Sequence, residues 1–316
     1  MAITAIEVEN FRGIRRGSLQ NLTSVNVLVG ANNSGKSTLV EALVRVAKHN
    51  SGDDSAVGQE NSRAGRARNE PHELDASALF RGAPSGRATV SLDEFLIQEL
   101  VLKRVNTETE ALAIERKGTS PATQFGALKR LTCLRPPDVL DGSIAPKLWP
   151  QLLRDRSDKR LASALQKVYG GALEGAQLAP SGHVHLLYPD HTVLLDAHGE
   201  GMRVAFRILL VLARLEDTML CVEEPECFQH PRALDKLALA MCTQAKAQSV
   251  QLLFTTHSLG CVRAFHHASA EAGLDFAVHH LDLDTDGVLD VRRIDGATFE
   301  ALDESGTDVR RLDEYA

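Results

Sequence analysis

The sequence predicts an α/β fold with a parallel central sheet, and three observations predict it. Two apolar, β-branched runs, Val25–Val29 and Thr218–Val222, are each followed by a segment with helical periodicity, and Val250–Thr255 is a third such run. Strand, helix and strand in that order imply parallel pairing, because a parallel neighbour needs a crossover between strands. Each run also ends in a polar turn: Gly30–Ser37, Glu223–Glu226 and Thr256–Ser258. In parallel sheets ligands bind beyond the carboxyl ends of the strands, so these turns are where function is expected.

Size and composition suit that fold. The chain has 316 residues, 43% hydrophobic and 24% charged, enough to bury a large core as one domain over 1–316. The net charge of −7 supplies no overall field to attract nucleic acid. Arg63, Arg66 and Arg68 are a local basic group within a segment that reads as solvated loop. No apolar run approaches the roughly 20 residues needed to span a bilayer. The N-terminus reads as a strand rather than a signal peptide, so the cytoplasm is the expected compartment. Cys133, Cys221, Cys227, Cys242 and Cys261 lack C-x-x-C spacing, which argues against a disulfide framework and a zinc site. Most of them are expected as small core residues.

In chain order, Ile3–Val8 reads as a strand, Asn10–Gly13 as a turn and Gly17–Val29 as further strand, feeding the first polar turn. A helix follows from Ser37 to about His49. Residues 52–74, rich in Gly, Ser, Asn and charge, read as a flexible insertion. Structure resumes near Ala78–Phe80, with strands at Arg87–Leu92 and Leu112–Arg116 and a weaker strand signal over Phe95–Val105. Cys133–Pro137 breaks the chain ahead of a helical region, 138–182, in which Ala145–Gly170 carries Leu148, Trp149, Leu152, Leu161 and Leu165 at helical spacing, Trp149 as a core anchor. His183–Leu187 and Thr192–Leu195 form a hairpin, and a strongly apolar helix runs through Arg214. His230–Pro231 opens another helix. Leu281–Asp284 and Val288–Val291 form a last hairpin. Its Asp282, Asp284, Asp286 and Gly287 imitate a calcium loop, but Arg293 stands where that loop needs a bidentate Glu.

Gly30, Ala31, Asn32, Asn33, Ser34, Gly35, Lys36 and Ser37, with Thr38 following, match G-x-x-x-x-G-K-[ST] between a strand and a helix. In such a loop the glycines let backbone N–H groups converge on phosphate oxygens at a helix N-terminus. Lys36 is then placed to reach the β- and γ-phosphates and the Ser37 hydroxyl to ligate Mg²⁺. Of the acids that end the second strand, Glu223 is the metal-side candidate and Glu224 the candidate base for an attacking water. His257 is placed to contact the γ-phosphate. Gly199, Glu200 and Gly201 offer N–H groups at a second helix start.

Val8–Gly13, the phosphate loop, Gly199–Arg203, Val222–Glu226 with His230–Pro231, and Phe254–Ser258 together resemble the ABC-type ATPase heads of the RecF, SMC and OLD group. More closely, the chain resembles small stand-alone AAA/ABC-type ATP-binding proteins of bacteria and archaea. That resemblance implies an ABC-ATPase-like head with a mixed sheet and a helical subdomain, binding ATP and Mg²⁺. It implies a head-to-tail homodimer in ATP, with Gly199–Gly201 contacting in trans the nucleotide held by the other copy. It also implies a protein partner, in settings such as DNA repair, phage defence or control of a toxic or nucleolytic protein. Glu223 replaces the usual Asp, and Ala197 or His198 the usual signature Ser. The stretch after His257 is short for the Toprim nuclease domain of OLD proteins. Two other readings remain open: an ATP-gated assembly module with little turnover, and a small-molecule P-loop kinase, which the paired acids disfavour.

Overall fold

A computed structural model describes residues 2–51, 85–92, 96–103, 131–170 and 172–315. The expected insertion at 52–74, the Ala78–Phe80 and Leu112–Arg116 segments, and Arg63, Arg66 and Arg68 lie outside the described residues.

Among the described residues six strands form the central sheet. They are β3 (Val25–Val29), β6 (Thr132–Leu134), β10 (Met219–Glu223), β11 (Gln251–Thr255), β12 (Phe276–Leu283) and β13 (Leu289–Asp295), in the spatial order β13-β12-β3-β11-β10-β6. All neighbours run parallel except β13, which returns antiparallel from β12. The three runs that predicted the fold are thus adjacent, with β11 between β3 and β10. Alternation explains why these strands read as continuous apolar runs. Val25, Val27, Val29, Leu220, Val222, Leu252 and Phe254 bury into one core, while Leu28, Met219, Cys221 and Leu253 bury into a second.

The second core is closed by a four-stranded antiparallel sheet in the order β2-β1-β4-β5, formed by β1 (Ile3–Phe11), β2 (Ile14–Leu19), β4 (Ser85–Leu92) and β5 (Leu96–Lys103). The predicted turn at Asn10–Gly13 narrows to Arg12–Gly13, since Phe11 pairs with Ile14 and Arg12 takes the positive φ of 50°. The strand expected over Gly17–Val29 is broken, its first part completing β2 and its second forming β3 in a different sheet. Gln251 joins the two sheets: its amide accepts from Ile3 N at 2.9 Å and donates to Ile3 O at 2.9 Å and Thr23 O at 2.7 Å. Helix α1 (Lys36–Ser51) packs beneath this sheet through Leu39 and Leu43.

The first core is covered by helices. The segment Cys133–Pro137, expected as a break, instead supplies β6, and Pro136–Pro137 open the short helix α2 (Pro136–Leu140). The single helical segment expected over Ala145–Gly170 divides into α3 (Ile144–Arg154) and α4 (Asp158–Tyr169), with Arg156 at φ 53° between them. Trp149 is buried in the core, as expected. β7 (Gly175–Leu178), β8 (Val184–Leu187) and β9 (Thr192–Leu194) make a small antiparallel sheet, of which the β8–β9 hairpin was expected and β7 was not. Then come α5 (Glu200–Leu212), α6 (Pro231–Ala247) and α7 (Leu259–Ala272). After β13 the chain forms α8 (Gly296–Glu304), which no sequence signal announced, and a 3₁₀ segment at Val309–Tyr315. All five cysteines are free, and all but Cys227 are buried. Among the described residues no helix is long and apolar enough to cross a membrane.

Candidate functional site

The phosphate loop leaves the carboxyl end of β3 and enters α1. Its first glycine is required by the sheet itself: Gly30 has φ 136°, and a Cβ there would lie 2.2 Å from the Leu281 carbonyl oxygen of β12. Gly35 has φ 92° and Asn33 φ 65°, so the backbone curls tightly. Lys36 is buried, and its Nζ donates to the carbonyls of Gly30 at 2.9 Å and Ala31 at 2.8 Å and to Ser34 Oγ at 3.3 Å. Burial lowers its pKa to about 8, with the nearby Glu224 charge opposing the shift. Lys36 therefore sits as a cation among neutral oxygen dipoles. Ala31, Asn32, Asn33 and Ser37 are exposed and Thr38 is half-buried.

Glu223 ends β10 opposite Thr255 of β11. Its Oε2 accepts from Ser37 Oγ at 3.5 Å, bringing together the two expected metal-side groups from positions 186 residues apart. Glu224 follows with φ 52°, in the left-handed region that a non-glycine residue enters at a cost. Its backbone N–H donates to Thr255 O at 2.8 Å, and its Oε2 accepts from Cys227 Sγ at 3.3 Å. His257 lies just past β11, its side chain exposed.

Gly199 caps α5, and Glu200 and Gly201 form its first turn. Gly201 has a packing reason to be glycine, because a Cβ would lie 2.5 Å from Phe228 O, and its own carbonyl accepts from Gln229 Nε2 at 2.8 Å. Gly199 meets nothing within 4 Å. The loop after the paired acids thus touches the start of α5.

Four contributors escaped sequence reasoning. Arg135, at the end of β6, sets its Nε 3.5 Å from Glu223 Oε1. Glu226 hydrogen-bonds the Thr256 hydroxyl. Buried Arg207 of α5 donates through Nη1 to Val139 O at 2.7 Å, tying α2 to the helix that Gly199 begins. Arg310 reaches His257 from the C-terminal segment. All four depend on chain closure, which brings together residues far apart in sequence.

ATP and Mg²⁺ suit this donor set. A glycine cradle and a buried cation present a phosphate site, and Ser37 with Glu223 presents hard oxygen donors. Among the described residues no cluster of three His, Cys, Asp or Glu side chains would hold a metal. An ion at Ser37 and Glu223 would accordingly draw its remaining ligands from water and phosphate, as Mg²⁺ does in nucleotide sites.

The fold and loop define an α/β P-loop NTPase. Two family models match the sequence, one described as "AAA ATPase domain" over residues 1–110 and one as "AAA domain, putative AbiEii toxin, Type IV TA system" over residues 108–263. The SMC head domain from Thermotoga maritima superposes with a TM-score of 0.57 at 13% identity, covering 93% of this chain and 99% of that one. An SmcHead bound to the C-winged helix domain of ScpA gives 0.62 at 10%, covering 93% and 98%. A Pyrococcus furiosus Smc head bound to the C-terminal domain of ScpA gives 0.57 at 10%, covering 96% and 99%. Two sequence relatives come from Methanocaldococcus jannaschii. "Uncharacterized protein MJECL10" is 49% identical over 41 residues, 13% of this chain and 19% of that protein. "Uncharacterized protein MJECL11" is 29% identical over 117 residues, 37% of this chain and 92% of that protein. The chain thus matches about a fifth of MJECL10 and most of MJECL11. It shares the fold of the SMC heads and is similar in sequence to AAA ATPase domains.

Proposed function

We propose that this chain is a Mg²⁺-dependent ATPase whose nucleotide lies along the carboxyl ends of β3, β11 and β10. The observation that carries the reading is the meeting of Ser37 and Glu223 at 3.5 Å beside the Lys36 loop. Gly30–Ser37 would cradle the phosphates, with Thr38 behind them, and Lys36 would offset the β- and γ-phosphate charge. Bound Mg²⁺ would neutralise phosphate charge and polarise the γ-phosphoryl group. Glu224 would take the proton of the attacking water, and His257 would contact the γ-phosphate. Gly199, Glu200 and Gly201 would complete the site of a second copy in a head-to-tail dimer. Supporting this, Gly199 leaves the start of α5 open, with no neighbour within 4 Å of a built Cβ. The cycle would act on a protein partner, and DNA repair and phage defence are settings that suit such heads. Phosphate release from purified protein, with and without Mg²⁺, tests the reading: release should require the metal.

A second reading, an ATP-gated binding module with little turnover, is favoured by Arg135. Its guanidinium lies on the acid that would hold Mg²⁺, and a cation there competes with the metal. Tight MgATP binding without phosphate release would select it.

A further inference from the structure

The C-terminal segment reaches into the loop that carries His257. Arg310 Nη1 donates to the His257 carbonyl oxygen at 2.6 Å, across 53 positions of sequence. Asp308 holds that guanidinium in place. It accepts from Arg310 Nε at 2.9 and 3.1 Å, from Nη2 at 2.5 Å and from the Arg310 backbone N–H at 3.0 Å. Between them Val309 is fully buried in the main core, so the segment is anchored where the arginine leaves it. A forked, charge-assisted contact of this kind fixes direction as well as distance.

The rest of the loop is fixed by other means. Thr256 N–H donates to Leu28 O at 3.1 Å, and its hydroxyl bonds Glu226. Ser258 N–H donates to Thr256 Oγ1 at 2.9 Å, and Ser258 Oγ caps α7 by accepting from Cys261 N at 3.2 Å. The carbonyl between these residues is held by Arg310. Fixing that carbonyl fixes ψ of His257, and with it the path along which the exposed imidazole leaves the backbone.

We infer that Arg310 is a positioning residue for His257, which makes the C-terminal segment part of the hydrolytic site. The inference rests on the ATPase reading above, so its test has an arm that needs no nucleotide. Backbone hydrogen exchange over residues 256–262 is measured in the full chain without ATP. Steady-state phosphate release is measured with MgATP, for the parent, Arg310→Ala, Arg310→Lys, Asp308→Asn, His257→Ala and the Arg310→Ala/His257→Ala double variant.

Arg310→Ala should accelerate exchange in that loop roughly tenfold and lower kcat by a similar factor, with KM for ATP changed less than about twofold, the scale of one lost charge-assisted hydrogen bond. Arg310→Lys, which keeps the cation without the fork, should recover part of the rate, and Asp308→Asn should fall between parent and Arg310→Ala. The double variant should be no slower than His257→Ala, because Arg310 acts through that side chain. Should Arg310→Ala fail to fold, Arg310→Lys and Asp308→Asn carry the same comparison. Unchanged exchange, or a loss that multiplies with that of His257→Ala, overturns the inference. A parent that releases no phosphate while Arg310→Ala still loosens the loop overturns the ATPase reading and leaves the loop contact standing.

Discussion

The turns that lead into α1 and α5 share a composition and a position, glycine-bearing and at a helix N-terminus, yet they are built differently. The first has two glycines at positive φ and a lysine buried among its own carbonyls. The second has ordinary backbone angles at Gly199, φ −60° and ψ 156°, and one glycine explained by the close approach of Phe228. A helix start with free N–H groups favours an anion weakly. Adding converging backbone and a desolvated cation turns that preference into a site. The difference suits the α1 turn to hold a phosphate by itself and the α5 turn to contact one that is already held.

Removing the cation should separate the two turns most clearly. Lys36→Ala should weaken ATP binding by roughly 100-fold or more, since it deletes the cation of the phosphate loop and leaves the neutral loop dipoles beside the Glu223 and Glu224 carboxylates. Calorimetric titration checks this, and near-parental affinity would mean the loop is not the site. The glycines come next. Gly30→Ala should cost roughly 3 kcal/mol or more of stability, because positive φ and a carbonyl at 2.2 Å both oppose a Cβ. Gly201→Ala, with the clash alone, should cost roughly 1–3 kcal/mol in the same denaturant melts. Equal losses would show that the backbone angle contributes little.

The lysine also carries a pH signature. Its pKa of about 8 in the free protein lies below the unfolded value, so the fold is penalised while Lys36 is charged, and the penalty fades as pH rises from about 8 towards 10.5. Phosphate binding acts oppositely by favouring the charged form. ATP affinity should therefore fall above about pH 8, by up to roughly tenfold per unit, with net proton uptake on binding. Buffer-dependent calorimetric heats would reveal that uptake, and their absence would place the cation elsewhere. The smallest effect belongs to Gly199→Ala, which should leave binding of ATP to a single copy unchanged within about twofold. A large loss of monomer affinity would show that the α5 turn acts in cis.

The sequence was most readable where local chemistry is decisive. The strands β3, β10 and β11 are apolar throughout because both faces are covered, and the phosphate loop and the paired acids follow from residue types at short spacing. It was least readable where the answer depends on chain closure. β6 has three residues and adjoins two prolines, so its ladder with β10 exists only through tertiary pairing. Arg156 breaks the helical run over Ala145–Gly170 without any Gly or Pro to mark it. α8, held by an Asp295 cap that accepts from Thr298 N at 2.8 Å, is only nine residues long and so shows little helical periodicity. Arg135 and Arg310 meet their partners across 88 and 53 positions, which no local pattern encodes.

Hydrolysis by Glu224 is the central claim, and Glu224→Gln tests it most directly, since the amide keeps the side chain's shape and reach but not its basicity. ATP should still bind, while phosphate release slows by roughly 100-fold or more, the scale of losing a general base. The variant should then accumulate as a dimer in MgATP and run as a smaller species in ADP. Phosphate release at the parental rate would contradict the account.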